Sequence, residues 1–141
     1  MGKEKISFKL KNRPSELETL YRNLEQFGNS LGLPKKSMLH SKLALDELFT
    51  NIITHGYTND AERWIEITMS HEDGTLILRI EDDGVFFNPL KAERPDIGCS
   101  LEECKIGGVG VRLTKHFIND INYQRLGNKN VVTLTINLRE V

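Results

Sequence analysis

Two segments in which apolar and polar residues alternate are the feature that most restricts the fold of this chain. They cover residues 63–71 and 75–82, with the sequences RWIEITMSH and TLILRIED. A period of two is that of a half-buried β-strand. Glu72-Asp73-Gly74 between them supplies the residue types of a tight turn, so the two segments are predicted to pair as an antiparallel hairpin.

The residues before this hairpin predict two helices. Pro14-Ser15, with Glu18 three positions after the serine, has the pattern of a capping box. Apolar residues then recur at helical spacing as far as the glycine-containing stretch 28–32. Pro34 suits the start of a second helix, and Gly56 suits its end.

Further strands and a third helix complete the predicted fold. The alternating segments lie at 4–10, which favours an edge strand, and at 121–126 and 130–138, which flank a turn at Gly127-Asn128. Residues 90–106 have no sustained period and predict a mobile loop, and the glycines that follow open a third helix. The order predicts an α+β fold of two layers, with a mixed, mostly antiparallel sheet and three helices on one face.

Length and charge favour a single domain, 1–141, that binds neither nucleic acid directly nor a membrane. A chain of 141 residues has the size of one ordinary domain. Its 19 Lys+Arg and 20 Asp+Glu provide no basic field. No apolar run approaches the roughly 20 residues of a membrane span, and no signal peptide is visible, so a cytoplasmic location is expected. Cys99 and Cys104 are expected to be free thiols.

Glu47, Asn51 and His55 follow one another at intervals of four in the predicted second helix. Each interval rotates by only about 40°, so the three side chains share one side of the helix. That side borders the apolar stripe and is predicted to face a cleft. There an amide oxygen can ligate magnesium, and a carboxylate can orient or deprotonate a nucleophile. A solvated helix flank is the alternative interpretation.

Asp82 ends the inward-facing row of the strand at 75–82. A buried carboxylate is costly unless donors surround it, and the exocyclic amine of a purine is a suitable donor. The alternative is that Asp82-Asp83-Gly84 only ends the strand with a turn.

Gly107-Gly108-Val109-Gly110 stands directly before the predicted third helix. Glycines there allow backbone N–H groups to approach an anion, and a helix N-terminus favours negative charge, so phosphate is the expected ligand. A flexible joint is the alternative. Neither a Rossmann fingerprint nor a P-loop motif is present.

Taken together and in this order, three segments resemble the GHKL ATPases, which share the Bergerat fold. ELFTNIITHGY (47–57) is similar to the N-box of that superfamily, and EDDGVFFNP (81–89) to its first glycine box. IGGVGVRLTKHFINDINYQRLGNKNVVTLTI (106–136) is similar to its second glycine box with the closing hairpin. The short loop between the glycine boxes is most similar to that of anti-sigma-factor serine kinases.

The resemblance implies a site for ATP, or ADP, with Mg²⁺. Asn51 would hold the magnesium, Glu47 would be the catalytic base, and Asp82 would bind the adenine amine. Residues 90–106 would form a lid over the phosphates. Further nucleotide contacts are expected from the remaining motif residues: His55, Gly84, Gly108, Val109 and Gly110. Lys105, in the lid, is a candidate phosphate contact because of its charge and location. For Lys105 the alternative is a solvated lysine.

Two residues depart from the family pattern, and the predicted orientation of a third keeps it out of the site. Asn88 stands where many relatives have aspartate, and Val109 where leucine is common, and neither change removes a proposed ligand. Thr133 alternates with Val132 and Leu134, so it is predicted to face away from their apolar row and is left out of the site.

The implied function is that of a serine protein kinase that acts by partner switching. Such a kinase phosphorylates an anti-anti-sigma (STAS-type) protein and sequesters a sigma factor. A non-catalytic module that reads ATP occupancy through its lid is the alternative. Relatives in this group commonly form dimers, and the edge strand 4–10 offers unpaired backbone groups for a homodimer.

Overall fold

The computed structural model describes residues 4–55, 61–85 and 120–138. The elements in these ranges are β1 (Glu4–Lys11), α1 (Leu17–Leu31), α2 (Lys35–His55), β2 (Trp64–Glu72), β3 (Thr75–Asp82), β4 (Asp120–Leu126) and β5 (Lys129–Asn137). A short 3-10 turn, Pro14–Glu16, precedes α1. Within this described part of the chain, no helix combines the length and the apolar character needed to cross a bilayer.

The five described strands form one sheet in the order β1-β2-β3-β5-β4. Each described pair of neighbours is antiparallel, so the prediction of a mixed sheet is corrected for these strands. Two hairpins, β2–β3 and β4–β5, account for two of the pairings, and β5 lies antiparallel to β3. Strand β1 lies at an edge, as its alternating sequence predicted.

The two hairpin turns have the backbone that their sequences predicted. Asp73 and Gly74 have φ angles of 57° and 78°. Two successive positive φ angles are the requirement of a type I′ turn, which matches the right-handed twist of the strands. Gly127, in the second turn, has a φ of 63°. These turns fix the register of each hairpin and therefore determine which side chains share a face.

The start of α1 differs from the prediction. Its N-terminus has no side-chain capping bond, so the capping box expected at Ser15 is wrong. Ser15 lies inside the 3-10 turn, after the extended residue Arg13, and therefore lacks the extended backbone of a capping residue. Instead, Glu16 accepts a hydrogen bond of 2.8 Å from the backbone N–H of Lys11. The helix ends at Gly32, which has a left-handed φ of 67°.

One hydrophobic core lies between the helices and one face of the sheet. The sheet contributes Leu10, Ile65, Ile67, Met69, Leu76, Leu78, Ile80, Val132, Leu134 and Ile136, and the helices contribute Leu20, Leu24, Phe27, Ala44, Leu45, Leu48, Phe49 and Ile52. The two described helices thus cover the same face, as the two-layer prediction required. The predicted third helix, with the lid at 90–106 and both cysteines, lies outside the described residues.

Two leucines of α2 test this assignment of the core. Leu45 is fully buried, whereas the Leu39 side chain is 55% exposed. We expect Leu45→Ala to lower the free energy of unfolding by about 2–5 kcal/mol, because it leaves a cavity in the core. The matched change Leu39→Ala should alter it by only about 0.5 kcal/mol. Urea denaturation of both variants measures the difference, and equal losses would contradict the assigned orientation of α2.

Candidate functional site

The structure describes about half of the residues predicted for the site. Glu47, Asn51, Asp82 and Gly84 are among them, and His55 is described only as the last residue of α2. The remaining predicted residues, Lys105, Gly108, Val109 and Gly110, lie outside the described ranges. The described part of the candidate site has two sides, one on the helix α2 and one at the end of the strand β3.

On the helix side, α2 joins Glu47 to Asn51. Asn51 is buried, with 4% of its surface exposed, and Glu47 is half-buried. Nδ2 of Asn51 donates a hydrogen bond of 3.2 Å to Oε2 of Glu47. Because Leu48 of the same helix packs into the core, the two polar side chains lie at the border of the apolar stripe, as predicted.

The hydrogen bond between Asn51 and Glu47 determines which atoms of the two side chains it uses. It uses the amide nitrogen of Asn51 and not the amide oxygen, which is the atom that a hard cation prefers. It also orients the Glu47 carboxylate toward one side of the helix. An acceptor for a cation and a carboxylate able to take a proton are thus held one helical turn apart.

A contact between the helices fixes α2 next to Glu47. The hydroxyl of Tyr21, in α1, donates a hydrogen bond of 2.5 Å to Asp46. Thr50 Oγ1 donates to the other carboxylate oxygen of Asp46 at 3.3 Å. Burial and the adjacent Asp46 carboxylate raise the pKa of Tyr21 to about 12, so the phenol keeps its proton and remains a donor. The residue before Glu47 is therefore tied to α1.

On the sheet side, Asp82 is a buried carboxylate at the end of β3. It is 3% exposed and lies in the inward row after Leu78 and Ile80. Its Oδ1 accepts hydrogen bonds from the backbone N–H of Gly84 at 2.8 Å and from Nδ2 of Asn130 at 3.1 Å. The hydrogen bond from Gly84 is the one expected if Asp82-Asp83-Gly84 only ends the strand with a turn. A turn alone, however, does not require a buried carboxylate.

Opposing influences set the charge of Asp82. Burial raises the pKa of this carboxyl above its ordinary value of 3.8, since desolvation disfavours the charged form. The hydrogen bonds from Asn130 and Gly84 lower its pKa. The neighbouring Asp83 charge raises the pKa and the Arg125 charge lowers it, and the net shift is upward. The two hydrogen bonds therefore offset only part of the cost of burying the Asp82 charge.

Asn130 contacts the predicted site residue Asp82, and the sequence did not single it out. It is 2% exposed and stands directly opposite Asp82 in the β3–β5 pairing. The available signal was its place two residues before Val132, in the same alternating row. Thr133 stands opposite Arg79 and Asn122 on the other face of the sheet, so the prediction that it points away from the apolar row is confirmed.

Comparison with known proteins identifies the family of this chain. The model of the histidine kinase-like ATPase domain matches residues 10–136, which is nearly the whole chain. The match extends over all three segments that carried the resemblance to GHKL ATPases. The prediction of this superfamily from the sequence is confirmed.

Curated relatives include two kinds of regulatory protein. The chain is 34% identical over 93 residues to the serine/threonine-protein kinase BtrW of Bordetella bronchiseptica, covering 66% of this chain and 66% of BtrW. It is 31% identical over 88 residues to the anti-sigma F factor of a Geobacillus species, covering 62% of this chain and 60% of that protein. The matched region thus spans less than two thirds of the length of either relative.

Solved structures agree on the fold. The RsbU and RsbW domains of a Mycobacterium tuberculosis protein match with a TM-score of 0.68 and 14% identity, over 96% of this chain and 32% of that one. A blue-light activated histidine kinase from Erythrobacter litoralis matches with a TM-score of 0.57 and 22% identity, over 77% of this chain and 32% of that one. With this shared fold and a family match over residues 10–136, the chain belongs to the histidine kinase-like ATPase domain family.

Proposed function

We propose that this chain is an ATP- and magnesium-dependent serine protein kinase of the anti-sigma-factor type that acts by partner switching. The observation that carries the proposal is the hydrogen-bonded pair of Glu47 and Asn51 on the border of α2. The names of two relatives, a serine/threonine-protein kinase and an anti-sigma F factor, support the choice of activity and of partners.

Asp82 fits the amine of adenine. Both of its hydrogen bonds within the described part of the chain end on Oδ1. Oδ2 is then the oxygen that would accept the exocyclic amine of the base. Because the side chain is almost fully buried, a hydrogen bond to this oxygen would also offset part of its desolvation.

Asn51 fits a magnesium ion bound to a triphosphate. A buried, uncharged amide oxygen is a hard ligand of the kind that magnesium accepts beside phosphate oxygens. When bound, the ion would neutralise charge that develops on the phosphates during transfer. His55 at the end of α2, and Gly84, Lys105, Gly108, Val109 and Gly110, would add contacts to the nucleotide, with residues 90–106 as the lid.

Glu47 would act as the base in the transfer. The substrate serine Oγ would form a bond to the γ-phosphorus, while the bond from that phosphorus to the bridging oxygen of ADP breaks. The hydroxyl proton would pass to the Glu47 carboxylate. The Asn51 amide, which donates to Oε2 of Glu47, would keep that carboxylate aligned with the incoming hydroxyl.

Partner switching would follow from the transfer. The phosphoacceptor would be an anti-anti-sigma protein of the STAS type, and the unmodified kinase would sequester a sigma factor in the cytoplasm. A homodimer could form through the backbone groups along the outer side of the edge strand β1.

The first test separates transfer from binding at Glu47. Glu47→Gln keeps an oxygen to accept the hydrogen bond of Asn51 but cannot take a proton. We expect it to lower phosphate transfer from labelled ATP to the cognate anti-anti-sigma protein by about 100-fold or more. Its ATP affinity should stay within a few-fold of wild type. A wild-type protein that binds ATP but never transfers phosphate would instead be a non-catalytic module.

The second test concerns the cation at Asn51. Asn51→Ala removes the proposed ligand, so the increase in ATP affinity on adding Mg²⁺ should be lost in calorimetric titrations. Thr54→Ala, at an exposed position of the same helix, should keep the full magnesium effect. An unchanged magnesium effect in Asn51→Ala would refute this assignment.

The third test concerns Asp82 and its charge. Asp82→Asn should lower ATP affinity by about tenfold or more, because a hydrogen bond to a charged acceptor is lost. Asp83→Asn, whose native carboxylate lies 3.3 Å from Arg63, should bind ATP like wild type. Equal affinity of Asp82→Asn and wild type would contradict adenine binding at this carboxylate.

The same substitution should stabilise the unliganded protein at neutral pH. The folded state raises the pKa of Asp82, so it binds a proton more readily than the unfolded chain, and stability falls as pH rises through that window. Asp82→Asn removes the cost of burying this charge. Its advantage in thermal denaturation should shrink as the pH falls through the raised pKa toward 3.8, where wild type also becomes neutral. An advantage that is independent of pH would contradict this origin.

A further inference from the structure

A cluster of polar side chains extends from Asp82 across the inner face of the sheet. Asn130 stands opposite Asp82 on β5, and Arg125 stands opposite Asn130 on the edge strand β4. Tyr123 is two residues before Arg125 and therefore shares this face. The row joins three strands at the end of the sheet where the carboxylate is buried.

The hydrogen bonds of Asn130 fix the orientation of its amide. Its Oδ1 accepts from the hydroxyl of Tyr123 at 2.6 Å and from Nη1 of Arg125 at 3.1 Å. A guanidinium has no acceptor, so a rotated amide would turn its NH₂ group toward a pure donor. In the observed orientation, Nδ2 donates to Oδ1 of Asp82 at 3.1 Å and to the backbone oxygen of Val85 at 2.9 Å.

Arg125 also connects this network to the turn after β3. Its Nη1 donates to the backbone oxygen of Gly84 at 3.0 Å, in addition to Asn130. Gly84 in turn donates its N–H to Asp82. The Arg125 guanidinium therefore contacts both residues that donate to Oδ1 of Asp82. It donates to the side-chain oxygen of Asn130 and to the backbone oxygen of Gly84.

We infer that Tyr123, Arg125 and Asn130 are positioning residues that determine the preference of this site for purines with a 6-amino group. The inference rests on the proposed function at Asp82. The network occupies Oδ1 with donors and leaves Oδ2 to face the base as an acceptor. A 6-amino group can donate to such an oxygen, whereas a 6-oxo group would place acceptor against acceptor.

The same network keeps the carboxylate ionised against the effect of burial. The Asn130 hydrogen bond and the Arg125 charge both lower the pKa of Asp82, in opposition to its desolvation. Without Asn130, the carboxyl would take up a proton at higher pH. A protonated carboxyl can donate as well as accept, so discrimination between 6-amino and 6-oxo purines would weaken.

The test compares three purine nucleotides that differ in the group at position 6 of the base and, for the 6-oxo base, in the proton on N1. Dissociation constants are measured with Mg²⁺ for ATP, for ITP, and for purine riboside triphosphate, which lacks the amine. Wild type should bind ATP about tenfold or more tightly than purine riboside triphosphate, because the amine donates to a charged acceptor. This ratio reports the contact at Asp82 and cancels the contribution of the phosphates.

Two variants change the network to different degrees. Asn130→Leu should reduce the ATP preference to less than about threefold and should shift the fall of that preference at low pH to a higher pH. Tyr123→Phe removes one hydroxyl and keeps the packing of the ring, so it should reduce the preference by about two- to fivefold. Asn122→Leu, at an exposed position of β4 on the other face, is the matched control and should keep the wild-type ratio.

The outcomes separate this inference from the proposed function. If wild type binds none of the three nucleotides, the proposed function fails. If wild type prefers ATP but both network variants keep its ratio and its pH profile, only the positioning role is overturned. Loss of affinity for all three nucleotides by equal factors in the folded Tyr123→Phe variant would also overturn it, since a purely structural role would then suffice.

Discussion

The burial of one carboxylate is the constraint on which the site depends. Asp82 lies at the end of a strand whose other inward side chains are aliphatic, and a charge there needs donors. The fold provides them from the turn at Gly84 and from Asn130 on the neighbouring strand. Both donors converge on one oxygen, so the buried group is only partly satisfied within the described chain. Such incomplete satisfaction is typical of a site that stabilises its ligand at some cost to the fold.

The helix layer combines packing and chemistry in one element. The same turns of α2 that insert Leu48 and Ile52 into the core place Glu47 and Asn51 at its border. The Tyr21–Asp46 hydrogen bond then couples this helix to α1. A change in the contact between the two helices would therefore move the proposed base and the proposed cation ligand together. The placement of Glu47 and Asn51 therefore depends on the packing of both helices as well as on their mutual hydrogen bond.

Much of the fold could be predicted from local patterns. Alternation located all five described strands, and the outward position of Thr133 followed from the same period. The capping box at Ser15 was wrong because a 3-10 turn places that serine on helical backbone. The hydrogen bond between Asn130 and Asp82 could not be predicted, since it depends on the register between strands whose paired residues are 48 positions apart. A period of two gives the face of a residue but not its partner across the sheet.

In the proposed complex, a nucleotide lies between α2 and the end of β3, with its base on Asp82 and its cation on Asn51. A crystal structure with a non-hydrolysable ATP analogue and Mg²⁺ would locate the base and the cation. We expect the adenine amine at about 3 Å from Oδ2 of Asp82. We also expect the ion at about 2.1 Å from Oδ1 of Asn51. A bound analogue whose base and cation both lie elsewhere, or the absence of bound analogue at saturating concentration, would rule out this arrangement.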